Sequence, residues 1–478
     1  MTFNSITFLC FFAITSLLLL ITNFDLKIKK DKILLIRHII LLISSYVFYG
    51  WWNWKCAFLM LGLTLISYWS SMKVEKTTSK VYLFIGVIVP LIILGIFKYF
   101  NFFIDSFCYL FGINNTNILN IILPVGISFY TFQSMSYTID VYRKKIKCEK
   151  SFINVALYIA FFPQLVAGPI VKANEFIYQL YEDRNIGWEN FKEGIQIFVF
   201  GLFKKIVIAD NISVCVDSVF GMPQKYHAIS IILAVISYSV QIYCDFSGYS
   251  DMAIGTAKIL GYELSQNFNM PYIAKNISTF WKRWHISLST WLQEYLYISL
   301  GGNRKGTVRT YINLFLTMLI GGLWHGASWT FVVWGALHGG ALCIHKIWMK
   351  LTKHDKKYKG TFIGNFCSGV ITYLFVAFCW IFFRAENFDI AQSVISGITN
   401  WQDGIIYISS WSVLGIICVV IATLIAWIKS QMKKTDIQGF YLLVDLESIL
   451  GLVILFLAFG ICFALAYTGS NPFIYFQF

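Results

Sequence analysis

Apolar runs near or above the ~18–20 residues needed to cross a bilayer recur along the whole chain. They predict membrane spans at 6–22, 33–50, 56–72, 81–98, 118–140, 193–209, 229–257, 310–324, 327–347, 362–383, 411–428 and 447–467. A lipid environment leaves helices as the open-ended structure that satisfies its own backbone. The fold class is therefore all-α: a polytopic helical membrane protein of about 11–12 spans with additional re-entrant and interfacial helices. No soluble domain, low-complexity linker or internal repeat interrupts the pattern, so residues 1–478 read as a single membrane-embedded unit.

Two stretches depart from an up-and-down bundle. Phe152 to Val171 is apolar but contains Pro163, Gly168 and Pro169, with charged residues at both ends. That composition predicts a re-entrant or broken helix, tolerated only where it lines protein or water. Between Lys275 and Lys350, two basic stretches bracket two apolar segments joined at Trp324-His325-Gly326, so the chain must turn there. The helix from Arg309 to His325 would rise about 24 Å, carrying His325 through most of a hydrocarbon core about 30 Å thick. Residues 281–300 read as one amphipathic interfacial helix, with Trp281, Trp284, His285, Leu288, Trp291, Leu292 and Tyr295 on its apolar stripe.

Composition agrees with this picture: 58% of residues are hydrophobic and 13% charged. The net charge of +14 does not indicate nucleic acid, because the cations fall in loops between apolar runs. Clusters at Lys27 to Lys32, Lys73 to Lys80, Arg143 to Lys150, Lys275 to Arg309, Lys346 to Lys359 and Lys429 to Lys434 define a cytoplasmic side by the positive-inside rule. Threading the spans through them leaves both termini extracytoplasmic. Lys27, Lys29 and Lys30 follow the first apolar run, the reverse of a cleavable signal peptide, which predicts a retained span. The eleven cysteines form no CxxC pair and read as small buried hydrophobes.

The candidate chemistry lies in polar groups that lipid makes costly. His285 occupies an apolar stripe, and His325 stands in Gly321-Gly322-Leu323-Trp324-His325-Gly326. Two readings stand for such a histidine: a structural ring bonded to a nearby carbonyl, or a general base kept out of bulk water. A base here would suit a hydroxyl attacking a thioester, with water exclusion protecting the acyl donor. The other histidines, His38, His227, His338, His345 and His354, show no HExxH or paired Cys/His spacing, which argues against a metal centre. Asp245 and Asp251 lie in an apolar helix; Gln241, Asp245 and Gly248 share a face and Asp251 points elsewhere. Each carboxylate requires a cationic partner or a role in a site. Lys204 and Lys205 are similarly out of place. Lys282, Arg283 and Arg304 suit either ordinary inside-positive topology or the phosphates of an acyl donor or lipid headgroup.

Phe280-Trp281-Lys282-Arg283-Trp284-His285-Ile286-Ser287-Leu288-Ser289, then Gly301-Gly302-Asn303-Arg304, then Gly322-Leu323-Trp324-His325-Gly326-Ala327, resemble the membrane-bound O-acyltransferase (MBOAT) family, most closely its alginate O-acetyltransferase branch. Phe162 to Ile170, Tyr243 to Asp251 and Phe473 to Phe478 extend the resemblance over most of the chain. It implies a funnel or tunnel of helices, with the catalytic histidine at His325 and a second at His285; Asp245, Asp251, Trp324, Ser287 and Ser289 are the expected supporting residues. It further implies no bound cofactor, an acyl thioester such as acetyl-CoA as donor, and transfer across a bacterial inner membrane. The implied acceptor is an envelope glycan, alginate-like or peptidoglycan, reached with an extracytoplasmic SGNH-hydrolase-like partner. D-alanyl transfer to teichoic acid and proton-coupled transport are the alternatives. On this reading His285 lies nearer the cytoplasmic side and His325 deeper.

Overall fold

The computed structural model describes residues 1–22, 29–113, 122–166, 168–182, 184, 186–352, 361–433, 444–469 and 473–474. These residues are largely helical and include no β-strand; one isolated bridge joins Tyr226 and Ile405. Five helices are long and apolar enough to cross a membrane: Lys30–Gly50, Trp54–Thr77, Lys80–Phe111, Ala228–Ile259 and Phe362–Arg384. Ile6–Ile21, Ser410–Ile425 and Ile449–Ala464 are shorter apolar helices, and all eight coincide with runs expected to span. The run at 81–98 does not stop where its hydropathy falls, because a π-helical turn at Gly95–Tyr99 carries it into Phe100–Phe111. Of the run at 118–140, residues 118–121 lie outside the described residues, and a helix occupies Ile127–Tyr142.

The chain divides into two compact units, one of residues 1–200 and 249–265, the other of 201–248 and 266–478. In the first, Ile127–Tyr142 packs against Trp54–Thr77 and Lys80–Leu94. Lipid supplies little hydrophobic drive between helices, so small residues and hydroxyls permit and hold the close approach. Ser67 Oγ donates to the Ser134 carbonyl at 3.0 Å, and Ser71 Oγ to Thr138 Oγ1 at 3.2 Å. The stretch at Phe152 to Val171 is a broken helix: Phe152–Ala160 ends at Phe161 and a short turn occupies Phe162–Leu165. Side chains satisfy the backbone exposed by the break. Gln164 Nε2 donates to the Tyr158 carbonyl at 2.6 Å, Tyr158 Oη to Val171 O at 3.1 Å, and Phe162 N–H to Ser45 Oγ at 3.1 Å.

The second unit contains the expected turn. Helix Thr307–His325 stops before Gly326, and Trp329–Leu351 starts from Ser328, whose Oγ accepts the Thr330 N–H at 3.3 Å. The two helices meet backbone to backbone. A Cβ on Gly335 would sit 2.5 Å from the Met318 carbonyl oxygen, and one on Gly322 would sit 2.9 Å from Gly335 Cα. Glycine is required at both because any larger side chain separates the pair.

The segment expected as one helix over 281–300 is instead broken at His285. Ile277–Trp281 and Ile286–Trp291 are short helices, continued by a π-helical turn at Leu292–Tyr297. His285 joins them at φ 42°, ψ 57°, a left-handed conformation costing about 1–2 kcal/mol for an ordinary residue. The periodic apolar stripe hides this break, because two helices in succession carry the same spacing as one.

Candidate active site

The break at His285 turns its ring inward, where it is 0% exposed, while His325, the last residue of Thr307–His325, is 3% exposed. Their ring centroids are 6.4 Å apart. The two histidines therefore form one cluster, contrary to the expectation of separate depths. That expectation followed from a continuous interfacial helix, and the backbone reversal at residue 285 removes its basis.

Aromatic walls enclose the pair. Trp324 lies 5.0 Å from the His325 ring and 6.0 Å from the His285 ring. Trp334 stands edge-on to His325 at 5.0 Å and Phe383 lies at 5.3 Å, while Phe246 meets His285 edge-on at 4.6 Å. Such walls lower the local dielectric and disfavour a charged imidazole. Burial alone pushes the pKa of His285, which lies between helices rather than within a span, down to about 3.

Asn267 sets the proton position on His285. Its Oδ1 contacts His285 Nδ1 at 3.0 Å and also accepts from Ser287 N–H at 3.3 Å and Ser287 Oγ at 2.9 Å. An amide N–H can only donate, so the Asn267 atom facing Ser287 is oxygen. The same oxygen accepts from Nδ1, which makes His285 the Nδ1–H tautomer with a basic Nε2. The Asn267 carbonyl also receives Ile286 N–H at 2.9 Å, fixing this loop against the start of Ile286–Trp291.

Asp245 lies behind this cluster. Its Oδ1 stands 2.7 Å from Lys205 Nζ, a charge contact without hydrogen-bond alignment, and the same ammonium donates to Asp210 Oδ1 at 2.6 Å. Asp245 Oδ2 accepts the Ile474 N–H at 2.8 Å. Phe473 packs on Phe246 at 5.8 Å, and Phe246 is the ring that meets His285. The intramembrane Asp245 thus has the cationic partner its position requires. Lys205 occupies a π-helical turn, Phe203–Ala209, and the neighbouring Lys204 donates to Ser247 Oγ at 2.9 Å.

The remaining sequence-derived candidates divide by location. Ser287 joins the cluster through Asn267; Ser289 Oγ donates to the Trp284 carbonyl at 3.2 Å, capping a turn. Asp251 belongs to the other unit. Lys282 and Arg304 are exposed, and Arg283 Nη1 donates to the Asn269 carbonyl at 3.0 Å. Of the C-terminal motif, Phe473 and Ile474 take the places given above, and 475–478 lie outside the described residues. Among the described residues, no group of three His, Cys, Asp or Glu side chains is gathered as a metal site. Sequence reasoning missed Asn267, Trp334 and Phe383. Asn267 stands among ordinary loop residues, and the two aromatics read as membrane-helix packing.

Comparisons with known proteins place relatives along most of the chain. The family model for the membrane-bound O-acyltransferase family matches residues 39–381. The probable alginate O-acetylase of Pseudomonas aeruginosa is 42% identical over 377 residues, 77% of this chain and 71% of its own length. The peptidoglycan O-acetyltransferase of Helicobacter pylori is 39% identical over 390 residues, 75% of this chain and 73% of its own. The teichoic acid D-alanyltransferase of Bacillus subtilis is more distant, 27% identical over 284 residues, 56% of this chain and 70% of its own.

Proposed function

Because the chain belongs to the membrane-bound O-acyltransferase family, we propose that it carries an acetyl group from a cytoplasmic thioester, acetyl-CoA or a similar donor, to hydroxyls of a cell-envelope glycan. The buried His285–His325 pair carries this reading. His325 is the base: it takes the proton of the attacking hydroxyl as that oxygen bonds to the thioester carbon. Collapse of the tetrahedral intermediate re-forms the carbonyl and breaks the C–S bond, and the departing thiolate takes the proton from the imidazolium. A base of this kind contributes roughly 10²–10⁴ in rate. His285 assists with its basic Nε2, and the aromatic walls keep water from the thioester.

The acceptor is alginate-like exopolysaccharide or peptidoglycan, reached through an extracytoplasmic SGNH-hydrolase-like partner, with both chain termini on that outer side of the bacterial inner membrane. Asp245 supports the site, and Lys282, Arg283 and Arg304 attract the donor phosphates. Acetyl rather than D-alanyl transfer is favoured because the O-acetylating relatives are 39–42% identical, against 27% for the D-alanyltransferase. Family membership favours acyl transfer over the transporter alternative.

His325→Ala, inserted in the membrane at the wild-type level, should abolish O-acetylation of the envelope glycan. Wild-type acetylation in that strain would refute the assignment.

A further inference from the structure

A third histidine lies beside the pair. His338 stands on Trp329–Leu351, one helical turn after Trp334, and is 0% exposed. Its ring meets Trp334 at 4.7 Å and Trp281 at 5.2 Å, and stacks on Phe280 at 6.2 Å with the planes 11° apart. Trp281 Nε1–H donates to His338 Nδ1 at 3.3 Å. An indole nitrogen can only donate, so Nδ1 carries the lone pair and a neutral His338 has its proton on Nε2. Among the described residues that Nε2–H has no hydrogen-bond partner, and neither does the indole N–H of Trp334. Trp334 is also a wall of the His325 site, at 5.0 Å.

Two buried donors without acceptors cost about 1–3 kcal/mol each, and such groups in a folded protein call for an explanation. Both belong to a row that begins at His325, and both are donors. A carbonyl oxygen is their chemical complement. We infer that His338 Nε2–H and Trp334 Nε1–H donate to the carbonyl oxygen of the acyl donor, stabilising the negative charge it acquires when the hydroxyl attacks. The inference rests on the acyl-transfer reading above and adds to it a source of oxyanion stabilisation, which the His285–His325 pair does not supply. Donors fixed in an aromatic box need no reorganisation as charge develops, and loss of one such donor lowers kcat on the order of 10²–10³-fold.

The two ring nitrogens can be tested separately. In His338→Gln the side-chain amide reaches the position of Nε2 and restores a donor there. In His338→Asn the shorter amide reaches the position of Nδ1, keeping the Trp281 contact and losing the Nε2 donor. Thiol release from acetyl-CoA is measured with the full-length protein in inverted native inner-membrane vesicles, which enclose its extracytoplasmic partner and glycan, alongside unfolding of each purified variant. The expected result is that His338→Asn lowers kcat on the order of 10²-fold with KM for acetyl-CoA roughly unchanged, while His338→Gln retains most of the activity. The reverse order, equal losses or no loss in either variant would overturn the inference. Wild-type activity that disappears in His325→Ala keeps such a failure distinct from failure of the acyl-transfer reading; an inert wild type would overturn both. Should neither His338 variant fold, Trp334→Phe carries the test: a comparable fall in kcat supports the assignment, and unchanged kcat overturns it.

Discussion

Replacing Asn267 by Leu should uncouple the proton position of His285 from the fold. The substitution keeps roughly the same volume and leaves the backbone bond from Ile286 N–H to the Asn267 carbonyl, 2.9 Å, available. It removes one oxygen that serves three donors: His285 Nδ1–H, Ser287 N–H and Ser287 Oγ–H. The hydroxyl can rotate to another acceptor and the imidazole can move its proton to Nε2, but the Ser287 amide has neither escape. One orphaned buried amide costs about 1–3 kcal/mol of stability. The bond to Nδ1 contributes about 0.5–1.5 kcal/mol net, so its loss shifts the tautomer ratio roughly 2- to 13-fold away from Nδ1–H. Acyl transfer should fall by up to that factor, because the basic nitrogen occupies its place in a smaller share of molecules. Nitrogen chemical shifts of the labelled ring in detergent micelles report the tautomer, and thiol release from acetyl-CoA reports the rate. A variant that folds, keeps the Nδ1–H tautomer and turns over at the wild-type rate would refute the role given to Asn267.

Asp245→Asn removes one counter-ion from buried Lys205 and should destabilise the protein by about 3–5 kcal/mol, read as an earlier unfolding transition in detergent. An unchanged transition would show that Asp210 suffices for Lys205. Gly335→Ala places a Cβ 2.5 Å from the Met318 carbonyl, so the helix pair must separate and His325 must shift. Acyl transfer should fall by more than tenfold while helical content by circular dichroism stays the same; undiminished turnover would show that the pair tolerates the added methyl. The pH response of His285 follows from its pKa, about 3 when folded against an ordinary 6.5 in the unfolded chain. Above 6.5 neither state binds a proton. Below 6.5 the unfolded chain binds one that the folded chain does not, so stability falls with pH until the folded pKa is reached. At pH 4.5 that difference is about 2–3 kcal/mol, measurable as the unfolding of wild type minus that of His285→Phe at pH 7 and 4.5. A difference independent of pH would refute the neutral, buried assignment.

The helical class and the turn at His325 are legible in the sequence because lipid imposes strict length and polarity rules on it, and Gly322, Trp324 and Gly326 mark a tight hairpin within them. The unusual cost of Asp245 and Lys205 is legible too, though their pairing is not, since helical spacing says nothing about contacts between distant segments. His285 shows the opposite failure. Its apolar stripe is real, yet the left-handed backbone at that residue leaves no mark in a pattern of apolar positions. Asn267 carries no signal at all: a loop asparagine acquires its meaning only from the two residues whose donors fold against it. Trp334 and His338 lie in plain view as aromatic and polar residues of a membrane helix, and only the contact with Trp281 distinguishes the two nitrogens of the latter.

The bond from Ile474 to Asp245 joins positions 229 residues apart. During synthesis, Asp245 and Lys205 enter the membrane long before Ile474 leaves the ribosome. Their charges can neutralise each other early, but the amide that completes the carboxylate and the Phe473 ring that backs Phe246 arrive only after the helices carrying His285 and His325 have been made. The wall behind the reaction centre is therefore assembled late, and a chain stalled or clipped before residue 473 would insert its histidines without it.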